Sequence, residues 1–320
     1  MKLGVFLSSE EWGPRELVAQ AVKAQQAGFD RLWISDHYHP WNDEQGHSPF
    51  VWCTIGAIAA AAPGMTVTTA VTCPTVRIHP AVIAQAAATA AVLLEGRFNL
   101  GVGSGEALNE HIFGDRWPEA TERLEMLSEA IEVIRLLWQG GVQSHRGRHY
   151  RVEHCRVYDL PATLPKIVVS GFGPRAVELA AEVGDGYCTV GPDADSVAQF
   201  RTGANGSAGR KLVQGGLKVC WGADEQQARA HVHRLWPNEA LPGELSQVLP
   251  TPAHFEQASQ LVTADAATAD VPCGPDLGEH LEAIKAYADA GFDECYVNQI
   301  GPEQDEFFAA YGEHVLPVIG

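Results

Sequence analysis

Three short segments of the sequence combine side chains that could do chemistry, and each follows a strand-like run. Residues 35–41 hold an aspartate and two histidines, and residues 103–109 hold two glycines and a glutamate. Residues 170–174 are glycine-rich and lead into a helical pattern, so their backbone N–H groups could bind a phosphate. A tight turn that requires glycine would leave the same pattern. Ionisable groups and glycines at strand ends are typical of the active face of a parallel barrel.

Two other chemistries fit parts of this pattern. His37 and His39 stand at positions i and i+2 of a strand end, where both rings could bind one metal ion. No second histidine cluster follows a later strand, so we expect no metal site. Glu10 and Glu106 could form the carboxylate pair of a glycosidase, but that function leaves the glycine-rich turns unexplained. Packed histidines and exposed carboxylates without a function remain open alternatives.

The elements that must position these residues alternate regularly along the chain. Helical patterns cover residues 14–27, 50–62, 80–94, 121–138 and 175–182. Strand-like runs cover residues 3–8, 31–36, 66–72, 98–103, 166–170, 187–190, 218–221 and 295–300. About eight strands, with no G-x-G-x-x-G after the first, predict a closed (β/α)8 TIM barrel instead of an open sheet.

Two segments interrupt the alternation and predict insertions at the carboxyl-terminal face of the barrel. Residues 142–161 alternate apolar and polar side chains, which predicts a hairpin. Residues 237–275 are rich in proline, alanine, threonine and aspartate, which predicts an irregular excursion near the substrate side. Neither segment is long enough for a second domain, so residues 1–320 are expected to form one barrel domain.

The composition excludes several classes of partner. The net charge of −18 argues against a surface for nucleic acid or an anionic membrane. No apolar run reaches the roughly 18 residues of a membrane span. The chain has 7 cysteines without a C-x-x-C pair, and it begins with a strand without a basic leader. We therefore expect reduced thiols, a cytoplasmic location and a small-molecule substrate.

Four motifs together resemble the F420-dependent glucose-6-phosphate dehydrogenase group of the luciferase-like superfamily. The motifs are Ser35-Asp-His-Tyr-His-Pro-Trp41, His79-Pro-Ala-Val-Ile-Ala-Gln85, Gly101-Val-Gly-Ser-Gly-Glu-Ala-Leu-Asn-Glu110 and Trp117-Pro-Glu119. The similarity is dense to about residue 190, thins through residues 237–275 and returns at residues 290–320. The resemblance implies a barrel that binds the deazaflavin coenzyme F420 at the carboxyl ends of its strands.

The resemblance also implies roles for individual residues. His37 matches the active-site base, Trp41 the aromatic residue beside the ring, Glu106 the acid that serves the deazaflavin N1, and Glu10 a further pocket carboxylate. A non-proline cis peptide is expected at Ala70–Val71. Cofactor contacts are expected from Asp36, Ala70, Val71, Cys73, Gly103, Ser104, Gly105, Asn109, Ser170, Gly171, Phe172 and Gly173.

The sequence departs from this group where the sugar phosphate would bind. The family holds that phosphate with two lysines and an arginine, whereas residues 191–195, 255–257 and 263–272 contain neither residue type here. A phosphomonoester needs charge-assisted donors, so glucose 6-phosphate is not the expected substrate. We expect an F420-dependent dehydrogenase that transfers a hydride between the deazaflavin and a non-phosphorylated alcohol or carbonyl compound.

Three points stay open from the sequence. An FMN-dependent luciferase-like oxidoreductase or monooxygenase would use the same barrel, because the two cofactors share ring shape and a ribityl phosphate. A cofactor-binding protein without turnover would not need His37, Trp41 and Glu106. A homodimer is expected from the family, with the apolar helices at residues 50–62 and 80–94 as candidate contacts, although helix-on-barrel packing would give the same pattern.

Overall fold

A closed barrel of eight parallel strands dominates the computed structural model, which describes residues 1–204 and 210–319. Around the barrel the strand order is β1, β10, β9, β8, β7, β4, β3 and β2, which confirms the predicted TIM barrel. The barrel strands are β1 (Lys2–Leu7), β2 (Arg31–Ile34), β3 (Thr66–Thr69), β4 (Phe98–Val102), β7 (Lys166–Ser170), β8 (Gly186–Val190), β9 (Leu212–Val219) and β10 (Glu294–Gln299). A separate antiparallel hairpin consists of β5 (Gln143–Arg146) and β6 (Arg151–Cys155).

The helices that cover the barrel begin and end where the local sequence favours it. Helix α1 has Pro14 in its first turn and ends before Gly28, whose φ of 102° suits a glycine cap. The side chain of His79 caps α3 by accepting the N–H of Ala81. The helices are α1 (Pro14–Ala27), α2 (Val51–Ala61), α3 (Pro80–Leu93), α4 (Ala107–Glu110), α5 (Ala120–Trp138), α6 (Pro174–Val183), α7 (Ala194–Gly203), α8 (Glu225–Leu235), α9 (Leu245–Val248), α10 (Pro252–Ser259), α11 (Ala264–Ala267), α12 (Leu277–Asp289), α13 (Gln304–Ala310) and α14 (Leu316–Ile319).

An aromatic layer closes the barrel interior at mid-height. The rings of Trp33 and Tyr296 stack at 4.6 Å, and Phe6 meets Trp33 edge-on at 5.6 Å. The side chain of Gln214 accepts the indole N–H of Trp33 and donates to the hydroxyl of Tyr296. Because this layer fills the interior, a ligand can occupy only the barrel mouth above it, at the carboxyl ends of the strands.

Strand β9 begins six residues earlier than the predicted strand at residues 218–221, and that prediction was wrong. Two glycines in the strand hid its apolar pattern. A Cβ at Gly215 would lie 2.5 Å from the ring of Tyr287, and a Cβ at Gly216 would lie 2.9 Å from the ring of Trp33. The glycines therefore make room for neighbouring aromatic rings and do not form a turn. The other strand and helix bounds agree with the predictions to within three residues.

Both predicted insertions contact a loop or strand end at the carboxyl-terminal face of the barrel. The hairpin β5–β6 forms as expected, and the Tyr150 hydroxyl next to it donates to the carbonyl of Thr75 in the loop that follows β3. The second insertion, here called the rim insertion (residues 236–275), is less irregular than expected because it contains the short helices α9, α10 and α11. Its backbone forms an isolated parallel β-bridge with the end of β9, between Cys273 and Cys220.

Two further expectations concern the thiols and the membrane. The 7 cysteines are all free, as the unclustered spacing predicted. Among the residues of the two described ranges, no helix has the length and apolar character to cross a membrane. The division into a single domain stays a prediction.

Candidate active site

His37 lies in the loop after β2, with a side chain that is 10% exposed at the barrel mouth. Its Nδ1 is 3.2 Å from the carbonyl oxygen of His39. A carbonyl oxygen can only accept, so Nδ1 carries the proton in the neutral ring. The other nitrogen, Nε2, is 3.4 Å from Oε1 of Glu10. This tautomer leaves Nε2 able to accept a proton beside a carboxylate that can stabilise the resulting positive charge.

Glu10 is only 2% exposed and is held by two hydroxyl groups. Its Oε2 accepts hydrogen bonds of 2.8 Å from both Ser8 and Ser35, which lie at the ends of adjacent strands. Hydrogen-bond donors stabilise a buried carboxylate. The two serines therefore fix the carboxylate in place and leave Oε1 directed at His37.

Trp41 joins the loop after β2 to the rim insertion. Its ring centroid is 5.0 Å from that of His37 and 5.1 Å from that of Phe255, which lies in α10. The same indole packs against a small apolar cluster that includes Trp236 and Cys273 of the rim insertion. The position of this aromatic wall at the mouth therefore depends on the insertion as well as on the barrel.

Glu106 is half-buried in the loop after β4 and connects to the His37 loop through Asn109. The side-chain oxygen of Asn109 accepts the backbone N–H groups of Tyr38 at 2.8 Å and His39 at 3.1 Å. The amide nitrogen of Asn109 lies 3.5 Å from Oε2 of Glu106. The structure thus brings Glu10, His37 and Trp41 into contact and places Glu106 at the same rim.

A buried ion network below this rim was missed by the sequence analysis. Arg77 lies between Asp36, at 2.9 Å, and Glu110, at 3.4 Å, and both carboxylate side chains are fully buried. The second oxygen of Asp36 accepts the hydroxyl of Thr72 at 2.8 Å. Burial raises the pKa of Glu110, and contacts with Arg77 offset part of that effect. Because protein groups occupy both carboxylate oxygens of Asp36, a cofactor contact from this residue would come from its backbone.

The glycine motif after β4 packs closely on the chain after β3. The peptide Ala70–Val71 is cis, as expected. A Cβ at Gly103 would lie 2.7 Å from Val71, and a Cβ at Gly105, where φ is 81°, would lie 2.5 Å from the sulfur of Cys73. Packing therefore requires both glycines whether or not a ligand contacts them. Cys73 is 5% exposed, and burial raises the pKa of its thiol well above the ordinary value, so it is not a reactive thiolate.

The turn before α6 leaves open space at the start of that ten-residue helix. A Cβ at Gly171 would lie 2.8 Å from Ala176, so this glycine serves packing, whereas a Cβ at Gly173 would have no neighbour within 4 Å. Phe172 is 62% exposed. Ser170 and Ser104 are half-buried at the ends of their strands. Open space in front of a helix start is where backbone N–H groups and the helix dipole bind phosphate.

Glu11 was also missed, and no local pattern marks it. It accepts the indole N–H of Trp236 at 2.5 Å and the backbone N–H of Gly301 at 3.2 Å. Burial raises its pKa to about 7, and the two hydrogen bonds offset part of that shift. Glu11 therefore ties the loop after β1 to the rim insertion and to the loop after β10.

A cleft of about 820 Å³ lies between the barrel rim and the rim insertion, and we call it the rim cleft. Its barrel side includes Phe6 of the aromatic layer and Lys218, which shares the inward face of β9 with Gln214 and Gly216. The cleft therefore meets the barrel interior at Phe6 and Lys218, whereas His37, Trp41 and Glu106 do not line it. Its apolar lining includes Phe6, Val190, Leu217, Ala266, Ala267 and Val271.

The two histidines of the loop after β2 have different partners. His37 contacts Glu10 and Trp41, whereas His39 stacks on His111 at 5.9 Å and its Nδ1 is 2.9 Å from the carbonyl of Leu108. Within residues 1–204 and 210–319, no three histidine, cysteine, aspartate or glutamate side chains group as metal ligands. This arrangement gives no support to the alternative of a shared metal ion.

Comparison with known proteins places this arrangement among related enzymes. Residues 1–294 match the family described as luciferase-like monooxygenase. An F420-dependent glucose-6-phosphate dehydrogenase of Nakamurella multipartita is 35% identical over 99% of this chain and 96% of that protein. An F420-dependent hydroxymycolic acid dehydrogenase of Mycobacterium tuberculosis is 39% identical over 90% of this chain and 80% of that protein.

Among solved structures, an F420-dependent secondary alcohol dehydrogenase in complex with an F420–acetone adduct is similar over the full length. The TM-score is 0.92 with 26% identity, and the match covers 100% of this chain and 99% of that chain. An F420-dependent tetrahydromethanopterin reductase from Methanopyrus kandleri, at 20% identity and a TM-score of 0.79, shares the fold.

Proposed function

We propose that this chain, which belongs to the luciferase-like monooxygenase family, is an F420-dependent oxidoreductase. We propose further that it acts on a non-phosphorylated alcohol or carbonyl compound. The observation that carries the proposal is the placement of His37, whose Nε2 lies beside Glu10 and whose ring lies against Trp41 at the barrel mouth. Curated relatives that match nearly the whole chain are F420-dependent dehydrogenases, which supports the same cofactor here.

The residues at the mouth fit F420. The open space at Gly173 and the start of α6 would hold a phosphate, because backbone N–H groups and the helix dipole favour an anion there. The loops that carry Val71, Ser104 and Asn109 would hold the ring above the aromatic layer. When bound, the deazaflavin accepts or returns a hydride as a two-electron carrier.

Side chains at the mouth would accept and donate the proton that accompanies the hydride. In the oxidation direction the substrate carbon gives up a hydride, and the hydroxyl proton moves to Nε2 of His37, which leaves a carbonyl product. The Glu10 carboxylate stabilises the imidazolium at a distance of 3.4 Å. Trp41 would donate its indole N–H to the substrate oxygen. Glu106 would exchange a proton at the cofactor nitrogen, since its carboxyl group lies at the same rim.

The charges of the rim cleft support a substrate without phosphate. Lys218 pairs with Glu239 at 3.1 Å, and Arg229 pairs with Asp265 at 2.8 Å. Further carboxylates in the lining come from Glu225, Asp270 and Glu279. Since the described cations of the cleft are paired and carboxylates exceed them, a phosphate dianion would meet repulsion instead of free donors.

Anaerobic mixing of the purified protein with F420 and a panel of primary and secondary alcohols tests the proposed function. We expect alcohol-dependent loss of the oxidised F420 absorbance, and tighter binding of F420 than of FMN in parallel titrations. The role assignment fails if His37→Ala and Glu106→Gln leave turnover intact. Binding of FMN in preference to F420, with oxygen consumption when reduced FMN and air are supplied in a separate assay, would instead support the monooxygenase alternative.

We also propose a cytoplasmic homodimer. Free cysteines support a reducing location. Apolar side chains at Phe50, Val82 and Leu93, beside or within α2 and α3, are about half exposed (53%, 54% and 52%), which is typical of a contact surface. Light scattering after size-exclusion chromatography tests the oligomer, and we expect Val82→Glu to convert a dimer to a monomer.

A further inference from the structure

Lys218 is a cation that strand β9 contributes to the lining of the rim cleft, and protein groups hold it from two sides. Its side chain is 13% exposed, and its ammonium group lies 3.1 Å from Glu239 and 4.4 Å above the ring of Trp236. Both partners belong to the rim insertion, whereas Lys218 belongs to β9. A largely buried ammonium group needs an opposite charge nearby, and Glu239 supplies it.

Glu239 is the more exposed member of this pair. Its side chain is 35% exposed in the short turn Pro237–Ala240, and it lines the same cleft as Lys218. No strand or long helix depends on it. Because Glu239 lies in a turn and not in a barrel strand, its neutralisation leaves the strands in place and leaves Lys218 without its counter-charge.

We propose that Glu239 determines the charge specificity of the substrate site by masking Lys218. With Glu239 ionised, the ammonium group is already paired, and the cleft accepts the neutral, apolar part of an alcohol. Without that carboxylate, Lys218 becomes a free donor at the cleft floor, and a carboxylate or phosphate on the substrate takes the place of Glu239. This inference rests on the proposed function, because it assumes that the cleft receives the non-reacting part of the substrate.

The test compares Glu239→Gln with the wild type on matched substrates. Secondary alkanols are paired with hydroxyalkanoates of the same chain length, and kcat/KM with F420 is measured for each. We expect Glu239→Gln to raise the ratio of kcat/KM for the hydroxyalkanoate over the alkanol by about tenfold, as one charge-assisted hydrogen bond can provide. Glu225→Gln is the matched control, since it also removes a lining carboxylate but is not paired with Lys218.

A double variant distinguishes an effect of Lys218 from an effect of the overall charge of the cleft. Adding Lys218→Met to Glu239→Gln should return the ratio to the wild-type value. The proposal is wrong if Glu239→Gln gives no gain, if the gain persists without Lys218, or if Glu225→Gln gives an equal gain.

A second measurement needs no cofactor and no turnover. Isothermal titration of each variant with inorganic phosphate should reveal tighter binding to Glu239→Gln than to the wild type, and the difference should vanish in the double variant. If no alcohol reduces F420 with the wild type, the proposed function fails, whereas the phosphate titration still decides whether Glu239 masks Lys218. Equal phosphate affinities in all variants would show that Glu239 does not mask Lys218.

Discussion

The mouth and the rim cleft differ in how deeply their arginine ion pairs are buried. At the mouth, Arg77 is 5% exposed and sits between the fully buried carboxylates of Asp36 and Glu110. In the cleft, Arg229 is 34% exposed and its partner Asp265 is 94% exposed. Breaking a buried pair leaves an uncompensated charge, whereas an exposed pair contributes little. The ion network of Arg77 is therefore costly to break, while the Arg229–Asp265 pair of the cleft can be lost at small energetic cost.

The two regions also differ in how they are assembled. The mouth is built from the loops that directly follow β1, β2, β3 and β4, and hydrogen bonds between these loops hold it together. The cleft depends instead on the rim insertion, which is tied to the loop after β1 by the hydrogen bond from Trp236 to Glu11. We infer that the mouth serves the reaction common to the family and that the insertion adapts it to a substrate.

Replacing His37 with alanine should give the largest effect. Loss of the proton acceptor should lower kcat by roughly 100- to 10,000-fold, which is the usual contribution of a general base. The affinity for F420, measured by titration without substrate, should change little. His39→Ala is the matched control, because that histidine lies in the same loop but contacts His111 instead of Glu10. Equal losses in both variants would contradict the assignment of the base.

Arg77→Met should lower the free energy of unfolding by about 3–5 kcal/mol, because it leaves Asp36 and Glu110 buried without a cation. Denaturant unfolding at neutral pH measures this effect. Part of the loss should recover as the pH falls and Glu110, whose pKa is raised by burial, becomes protonated. A change below about 1 kcal/mol would show that the ion network does not hold the mouth together.

Glu11 links the mouth to the rim insertion and should make stability depend on pH. Its pKa rises from 4.5 to about 7 on folding, so the folded state binds this proton more tightly than the unfolded state. The contribution of this proton to the free energy of unfolding, about 3 kcal/mol, is therefore fully present below a pH of about 4.5. It is lost as the pH rises through 7. Glu11→Gln should remove that dependence, whereas Glu282→Gln, on an exposed part of α12, should retain it. Parallel pH profiles for wild type and Glu11→Gln would contradict the shift.

The smallest effect is expected in the cleft. Arg229→Met should change the free energy of unfolding by less than about 1 kcal/mol, since its partner Asp265 is almost fully exposed. The same denaturant experiment serves here, with Arg77→Met as the comparison. A loss as large as that of Arg77→Met would remove the contrast between the two regions.

Local signals made much of the fold and the mouth predictable. Alternation of strands and helices indicated the barrel, and prolines and glycines marked helix ends such as those of α1. The strand-end positions pointed to residues 35–41 and 103–109, and the resemblance to the F420-dependent group implied the roles of His37, Trp41 and Glu106. The full extent of β9 was not predictable, since Gly215 and Gly216 are required by aromatic rings contributed by other elements.

Long-range pairs account for what the sequence could not reveal. Trp236 and Glu11 are separated by 225 residues, and nothing near Glu11 indicates which group will bury its carboxylate. Lys218 lies outside the stretches where family lysines were expected, and its pairing with Glu239 depends on how the rim insertion folds back on the barrel. Such pairs follow from tertiary packing and not from local pattern.

The transfer of deuterium from a secondary alcohol labelled at its carbinol carbon tests the central claim most directly. Purified protein, F420 and the labelled alcohol are mixed without oxygen, and the reduced coenzyme is analysed by mass spectrometry. We predict one deuterium per reduced coenzyme, and transfer slowed by roughly 100- to 10,000-fold with His37→Ala. Reduced coenzyme without the label, or label transfer unaffected by His37→Ala, would contradict the account.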